Sequence, residues 1–242
     1  MRLKLISCEV MYREMCTAVA QSEHAVDVQF LPRDIHDCAG IMRAKLQDLL
    51  DKVEPERYDA ILLGYGLCGN GVAGLEARRL SIVIPRAHDC ITLFLGSKER
   101  YSDYFSNNCG VYFKTTGWIE RSTTADDTNQ LPLSYNFNQL VAKYGIENAE
   151  FLRQELEHYR LKYTQFTFIE MGVEPNASFE RKTLQEAAQR GWKFEKVKGD
   201  MRLIRSLVNG DWNEGEFLVV QPGHRVTVQY DEGILGTEPI AQ

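Results

Sequence analysis

Two short runs in this chain, YDAILLG at residues 58–64 and SIVIP at 81–85, are apolar almost throughout. A strand that shows one face to water alternates apolar and polar residues, whereas one covered on both faces does not. Uninterrupted runs of this kind belong to parallel sheets flanked by helices. Shorter runs at 3–7, 25–31 and 111–115 extend the series. Between them lie stretches with helical apolar spacing: 9–21, a long one from the candidate N-cap Asp34 to about residue 53, 70–77 opening at Asn70, and 90–105. This β-α alternation predicts an open α/β sheet with right-handed crossovers.

Residues 120–135 are polar and without period, and read as a connection between an N-terminal lobe (1–119) and a C-terminal lobe (136–242). The second lobe is expected to hold a long helix over 136–163, a strand at 165–171, a helix from Ser178 closed by Gly191, and a strand at 193–197. A helix capped by Asp200, a strand at 217–221 and a hairpin arm at 226–230 complete it. The fold class expected is therefore α/β, with two facing β-α-β-α-β lobes and mostly parallel sheets. A structural duplication and plain α/β alternation both account for the matching order of LKLISCEV, VDVQFLP, YDAILLGYG and QFTFIEMG, KFEKVKG, EFLVVQPG.

Composition excludes some classes. The 242 residues carry 28 Lys plus Arg against 34 Asp plus Glu, a net charge of −6 with no basic stripe, which disfavours nucleic acid. No apolar run approaches the ~20 residues that span a bilayer, so a membrane partner is not expected. The segment Leu5-Ile6-Ser7-Cys8 fits a lipoprotein cleavage box, but four residues leave no room before it for an apolar signal region. A cytoplasmic chain is expected, and its six cysteines then read as core thiols, metal ligands or nucleophiles rather than disulfides.

Ligands of open α/β sheets bind beyond the carboxyl ends of the strands, and that rule sorts the cysteines. Cys8 follows the first strand, Cys68 follows the third within GYGLCGNG, and Cys90 follows SIVIP as part of His88-Asp89-Cys90. Cys16, Cys38 and Cys109 fall elsewhere and read as small buried apolar residues. Cys8, Cys68 and Cys90 with His88 as a fourth ligand match the thiolate and imidazole set of zinc. An iron-sulfur cluster is the competing occupant, although it usually takes four cysteines. Without a metal, Cys8 or Cys90 near a helix start is a candidate nucleophile with His88 as its base.

Around these thiols, Gly64, Tyr65, Gly66, Gly69, Asn70 and Gly71 form a loop that could approach a ligand closely and cradle an anion at the Asn70 helix start. Arg86 is a candidate for an anionic group or a surface ion pair, and Asp89 for orienting His88 or for the same ion pair. Glu9 is a candidate acid/base group, and Glu14 is expected on a solvated helix face. Thr116, Gly117 and Trp118 end the fifth strand on the same rim and offer an aromatic wall, while His224 would enter the cleft if the lobes face each other.

The segments GYGLCGNG (64–71), PRAHDCITLFLGSKERY (85–101), KTTGW (114–118) and GDMRLIRSLVNGDW with FLVVQPG (199–223) resemble the family catalogued as domain of unknown function 1638. The resemblance implies bacterial and archaeal relatives that keep company with corrinoid-dependent methyltransferase systems, and hence one-carbon or methyl metabolism. His88-x-Cys90 with a distant cysteine also resembles the zinc pattern of thiol-alkylating methyltransferases, which are larger barrels, so only the ligand logic carries over. The expected function is a metal-thiolate site, zinc favoured, acting on a small molecule or cofactor. A metal-dependent methyltransferase, a corrinoid- or metal-carrying accessory protein that partners a methyltransferase, and a metal-free cysteine enzyme all remain open.

Overall fold

A computed structural model describes all residues except 34, 36, 37, 109, 123–136, 161 and 241–242. Eleven strands are formed among the described residues: β1 Arg2–Cys8, β2 Ala25–Leu31, β3 Ala60–Gly64, β4 Glu76–Ala77, β5 Ile82–Pro85, β6 Val111–Lys114, β7 Gln165–Glu170, β8 Lys193–Lys198, β9 Phe217–Val220, β10 His224–Val228 and β11 Leu235–Pro239. The helices are α1 Tyr12–Gln21, α2 Ala39–Asp51, α3 Cys90–Leu95, α4 Lys98–Asn107, α5 Thr116–Glu120, α6 Phe137–Tyr144, α7 Ile146–Arg160, α8 Ser178–Arg190 and α9 Arg202–Asn209, and a 3-10 turn, Glu9–Met11, precedes α1.

The chain is a mixed α/β protein whose two larger layers are mainly parallel. The main sheet runs β2-β1-β3-β5-β9, with β9 antiparallel to β5 and the other pairs parallel. Every residue of β3 and β5 is buried, as uninterrupted apolar strands require, whereas edge strand β2 is mostly half-buried. The strand order reverses between β1 and β3, so the crevice beyond their carboxyl ends is the place where such sheets bind ligands. A second parallel sheet runs β6-β7-β8, and a small antiparallel one runs β11-β10-β4. Helix α9 buries Leu203, Ile204, Leu207 and Val208 on one stripe, and Gly210 closes it in the left-handed conformation at φ 81°. One buried cluster extends from Leu3 and Leu5 through Phe94 to Ile169 and Met171, so both parallel sheets share a core.

Strand pairing does not form two self-contained β-α-β-α-β copies. The third strand of the second copy, β9, joins the main sheet, while β6 from the first half pairs with β7. The antiparallel course of β9 also moves His224: Val220 pairs with Ile82 at the start of β5, so the chain leaves β9 at the rim opposite the carboxyl ends. His224 then pairs with Ala77 and Pro239, away from the expected cleft. The expected hairpin arm is present as β10 and β11.

Three expected helices differ. Residues 70–77 form turns and the short β4, because Gly69 and Asn70 sit at φ 62° and 70°, outside the helical region. The 90–105 helix is broken at Gly96, φ 81°, after which the Ser97 hydroxyl accepts the Arg100 N–H at 3.0 Å and opens α4. Gly145, φ 80°, separates α6 from α7 in the same manner. The Asp34 cap, Cys109 and residues 123–135 of the expected connection lie outside the described residues.

Candidate functional site

The loop after β3 lies along the loop after β5. Leu67 N–H donates to the Ala87 carbonyl at 2.7 Å and Cys68 N–H to the His88 carbonyl at 2.8 Å. This approach needs Gly66: a Cβ there would stand 2.7 Å from the Ala87 carbonyl oxygen and 2.8 Å from the Asp89 nitrogen. The chain then turns through three successive left-handed residues, Cys68 (φ 46°), Gly69 (φ 62°) and Asn70 (φ 70°). A left-handed cysteine is costly and persists only where the surroundings impose it. Here that conformation sets the position of the Cys68 thiol.

Three thiols reach this crevice. Cys8 ends β1 and is buried; Cys68 lies in the β3 loop; Cys90 is the first residue of α3. Cys8 acts electrostatically on both Cys68 and Cys90, and Cys68 on Cys90, each raising the thiol it acts on. Burial first, then Asp89, then the other sulfurs push Cys68 and Cys90 far above the ordinary thiol range, so both are neutral thiols in the folded chain. Backbone N–H groups of Gly66 and Cys90 point at the Cys68 sulfur, and the Trp118 indole N–H points at the Cys90 sulfur. N–H donors aimed at sulfur favour its anionic, ligating form and tune a thiolate site. Among the described residues no three His, Cys, Asp or Glu side chains stand in a metal-ready arrangement. The donor chemistry fits a soft, thiolate-binding metal, and it supplies no coordination geometry.

Trp118 reaches the thiols from the second parallel sheet. After β6 the Thr115 hydroxyl accepts the Trp118 N–H at 3.3 Å and starts α5, which packs on the 3-10 turn behind Cys8. The guanidinium of Arg33 stands 5.1 Å from the Trp118 ring centroid, a cation–π contact.

The remaining expected residues take varied positions. The His88 ring is exposed and lies 5.8 Å from the Tyr101 ring. Asp89 caps α3, with Oδ1 accepting the Ile91 N–H at 2.9 Å and Oδ2 the Tyr101 hydroxyl at 3.2 Å; burial, the largest influence, raises its pKa. Glu9 accepts the Arg33 N–H at 3.0 Å and lies 3.9 Å from Arg121. Gly64 and Gly71 make room for protein atoms: a Cβ would meet Ser7 Oγ at 2.3 Å or Met42 Sδ at 2.2 Å. With no helix beginning at Asn70, the expected anion cradle at a helix start is not formed there.

Arg86 holds the fold. Its Nε donates to the Glu214 carbonyl at 2.8 Å and Nη1 to those of Gly233, at 2.8 Å, and Leu235. The guanidinium thus fastens the β10–β11 region to the end of β5. Arg86→Ala is expected to lower stability by about 2–3 kcal/mol in urea denaturation, by stranding charge-assisted bonds, and to leave the thiols' reactivity toward a thiol reagent in the folded protein unchanged.

Two polar groups near this rim are enclosed by the fold. Glu14 is fully buried on α1, contrary to the solvated face expected of it, and neither carboxyl oxygen has a hydrogen-bond partner among the described residues. It follows Val10 and precedes Ala18 by four residues, both buried, and that i, i+4 spacing was the available clue. Tyr65 is 1% exposed and its hydroxyl also lacks a partner among the described residues.

Fold and site together define a mixed α/β protein with three thiols, one buried and two half-buried, at the carboxyl rim of its main sheet. The chain belongs to the family described as Protein of unknown function (DUF1638), matched over residues 30–208. That span includes Cys68, His88, Cys90 and Trp118 and leaves Cys8 on β1 outside it. No curated protein and no solved structure matches the chain. Among the described residues no helix is long and apolar enough to cross a membrane.

Proposed function

We propose that Cys8, Cys68 and Cys90 form a metal-thiolate site, with zinc the favoured ion and His88 a fourth ligand or a base, that acts on a small molecule or cofactor. The observation that carries this reading is the approach of three thiols, from the end of β1, the loop after β3 and the start of α3, two of them met by N–H donors that favour a sulfur anion. Burial keeps Cys68 and Cys90 protonated, so a bound cation is what would ionise them, and metal binding then releases protons. Zinc, when bound, would hold a thiolate deprotonated at neutral pH while leaving it reactive, which suits alkyl transfer. Methyl or one-carbon chemistry, linked to a corrinoid, extends the reading and rests on the family resemblance rather than on the site.

A second reading, a non-catalytic carrier of a metal or corrinoid, is favoured by the state of the acid/base candidates. Asp89 is committed to capping α3, and Glu9 to Arg33 and Arg121.

Elemental analysis and a visible spectrum of the full chain purified without oxygen test the site. About one zinc per chain is expected, without colour, and lost in each of Cys8→Ser, Cys68→Ser and Cys90→Ser. Iron with sulfide and a brown band would replace zinc by a redox cluster. No metal under any condition would sink the reading. An open coordination position, detected by added small ligands perturbing a cobalt-substituted spectrum, separates an enzyme from a carrier.

A further inference from the structure

The fold treats two arginines near Glu120 differently. Arg13, on α1, forms a bidentate pair with it, Nε to Oε2 at 2.8 Å and Nη2 to Oε1 at 2.5 Å. Arg121, the residue after Glu120, has no such acceptor. Among the described residues the one carboxylate within 4 Å of it is Glu9, with Oε2 3.9 Å from Nη1, and its Nε is buried without a hydrogen-bond partner. A guanidinium keeps its charge and has five N–H donors to place, and 3.9 Å is outside hydrogen-bond range. Buried polar groups are nearly all satisfied in folded proteins, so donors left unmatched here call for an acceptor from outside the chain.

The guanidinium is held in position and open to solvent. Its Cζ stands 5.0 Å from the Tyr12 ring centroid, and Tyr12 packs on Phe30 at 4.9 Å. The side chain is 37% exposed although Nε is enclosed, so its accessible part lies away from Nε. Arg121 also stands at the thiol rim. It lies three residues beyond Trp118, whose indole N–H points at the Cys90 sulfur, and its ion-pair partner Glu9 directly follows Cys8. Arg33, packed over Trp118, brings a second positive charge, and Glu9 already accepts the Arg33 N–H at 3.0 Å.

We propose that Arg121 is the binding point for an anionic oxygen group, carboxylate or phosphate, carried by the small molecule taken at the thiol rim, with the guanidinium as its bidentate partner. The neighbouring chemistry rests on the metal-thiolate reading; the anion rests on Arg121.

The test titrates the metal-free full chain, Arg121→Gln and Glu9→Gln with inorganic phosphate and with acetate, against sodium chloride at matched ionic strength. Melting temperature and calorimetry are the readouts. The natural chain should be stabilised saturably by at least one of the two anions, beyond the effect of chloride. Arg121→Gln should bind that anion at least about tenfold more weakly. Glu9→Gln removes the competing charge and keeps an amide oxygen for the Arg33 N–H, so it should bind the anion more tightly, by about two- to tenfold. No response of the natural chain to either anion beyond chloride overturns the proposal, and so does equal binding by Arg121→Gln. If Arg121→Gln does not fold, Glu9→Gln decides, and unchanged or weaker binding there overturns it. Co²⁺ uptake by the natural chain, read by cobalt-thiolate absorption in separate samples, tests the thiols. Anion binding without Co²⁺ uptake strikes the metal-thiolate reading and leaves the Arg121 site standing; Co²⁺ uptake without anion binding strikes the Arg121 site alone.

Discussion

Gly117→Ala is expected to lower stability by more than about 3 kcal/mol. In an unstrained helix the same substitution gains about 1 kcal/mol, because alanine has the lower conformational cost. At Gly117 the new Cβ would stand 1.8 Å from the Val10 carbonyl oxygen and 2.7 Å from its carbon. Restoring even a 3.0 Å separation from that oxygen moves backbone against backbone by 1.2 Å, since 3.0 less 1.8 is 1.2. Helix α5 would lift off the 3-10 turn and draw Trp118 away from Cys90. Gly40, in α2, has nothing within 4 Å of its position for a Cβ, so Gly40→Ala should be neutral or stabilising. Urea denaturation of both variants checks the pair. Similar small effects for the two would mean that α5 does not seat as tightly as its geometry states.

The second large effect concerns pH. Burial, the dominant cause, raises the Glu14 carboxyl to about 7, with Glu174 and Glu120 adding to it and Arg13 opposing. The folded chain therefore binds a proton on Glu14 that the unfolded chain has released above about 4.5. Between those two values the native state holds more protons, so stability falls as pH rises and levels off above the folded value. The loss amounts to about 3 kcal/mol across the window. Glu14→Gln should remove this slope, and Glu14→Met, apolar and of similar length, should also raise stability at pH 8 by about 1–3 kcal/mol. Denaturation curves collected from pH 4 to 9 decide it; an unchanged slope in Glu14→Gln would assign the pH dependence to other groups.

What could be read from the sequence follows from how many faces of an element are covered. Strands β3 and β5 are apolar without interruption and are buried on both faces, and β1 feeds Cys8 into the rim that the parallel arrangement predicts. That Cys8, Cys68 and Cys90 stand at the carboxyl ends of β1, β3 and β5 followed from strand direction alone. Direction is also where the reading failed. FLVV at β9 is equally apolar whichever way it runs, so nothing local told that it lies antiparallel and carries His224 to the other rim. Assignment of β6 to the second parallel sheet was hidden for the same reason. The helix expected at Asn70 was lost to backbone conformation, because three left-handed residues set the Cys68 loop instead. Glu14 defied its charge: helical spacing placed it inward, and residue type suggested the opposite.

The exchange of strands between halves has a consequence for how the molecule is made. The main sheet is completed by β9, whose residues leave the ribosome after those of the second parallel sheet, and that sheet in turn begins with β6 from the first half. Neither half is a self-sufficient module. A gene split between them would give two fragments, each with an unpaired strand that belongs in the other's sheet. Each half therefore completes a sheet of the other, and the segment that carries Trp118 to Cys90 leaves a strand, β6, whose only sheet partner among the described residues is β7 of the second half.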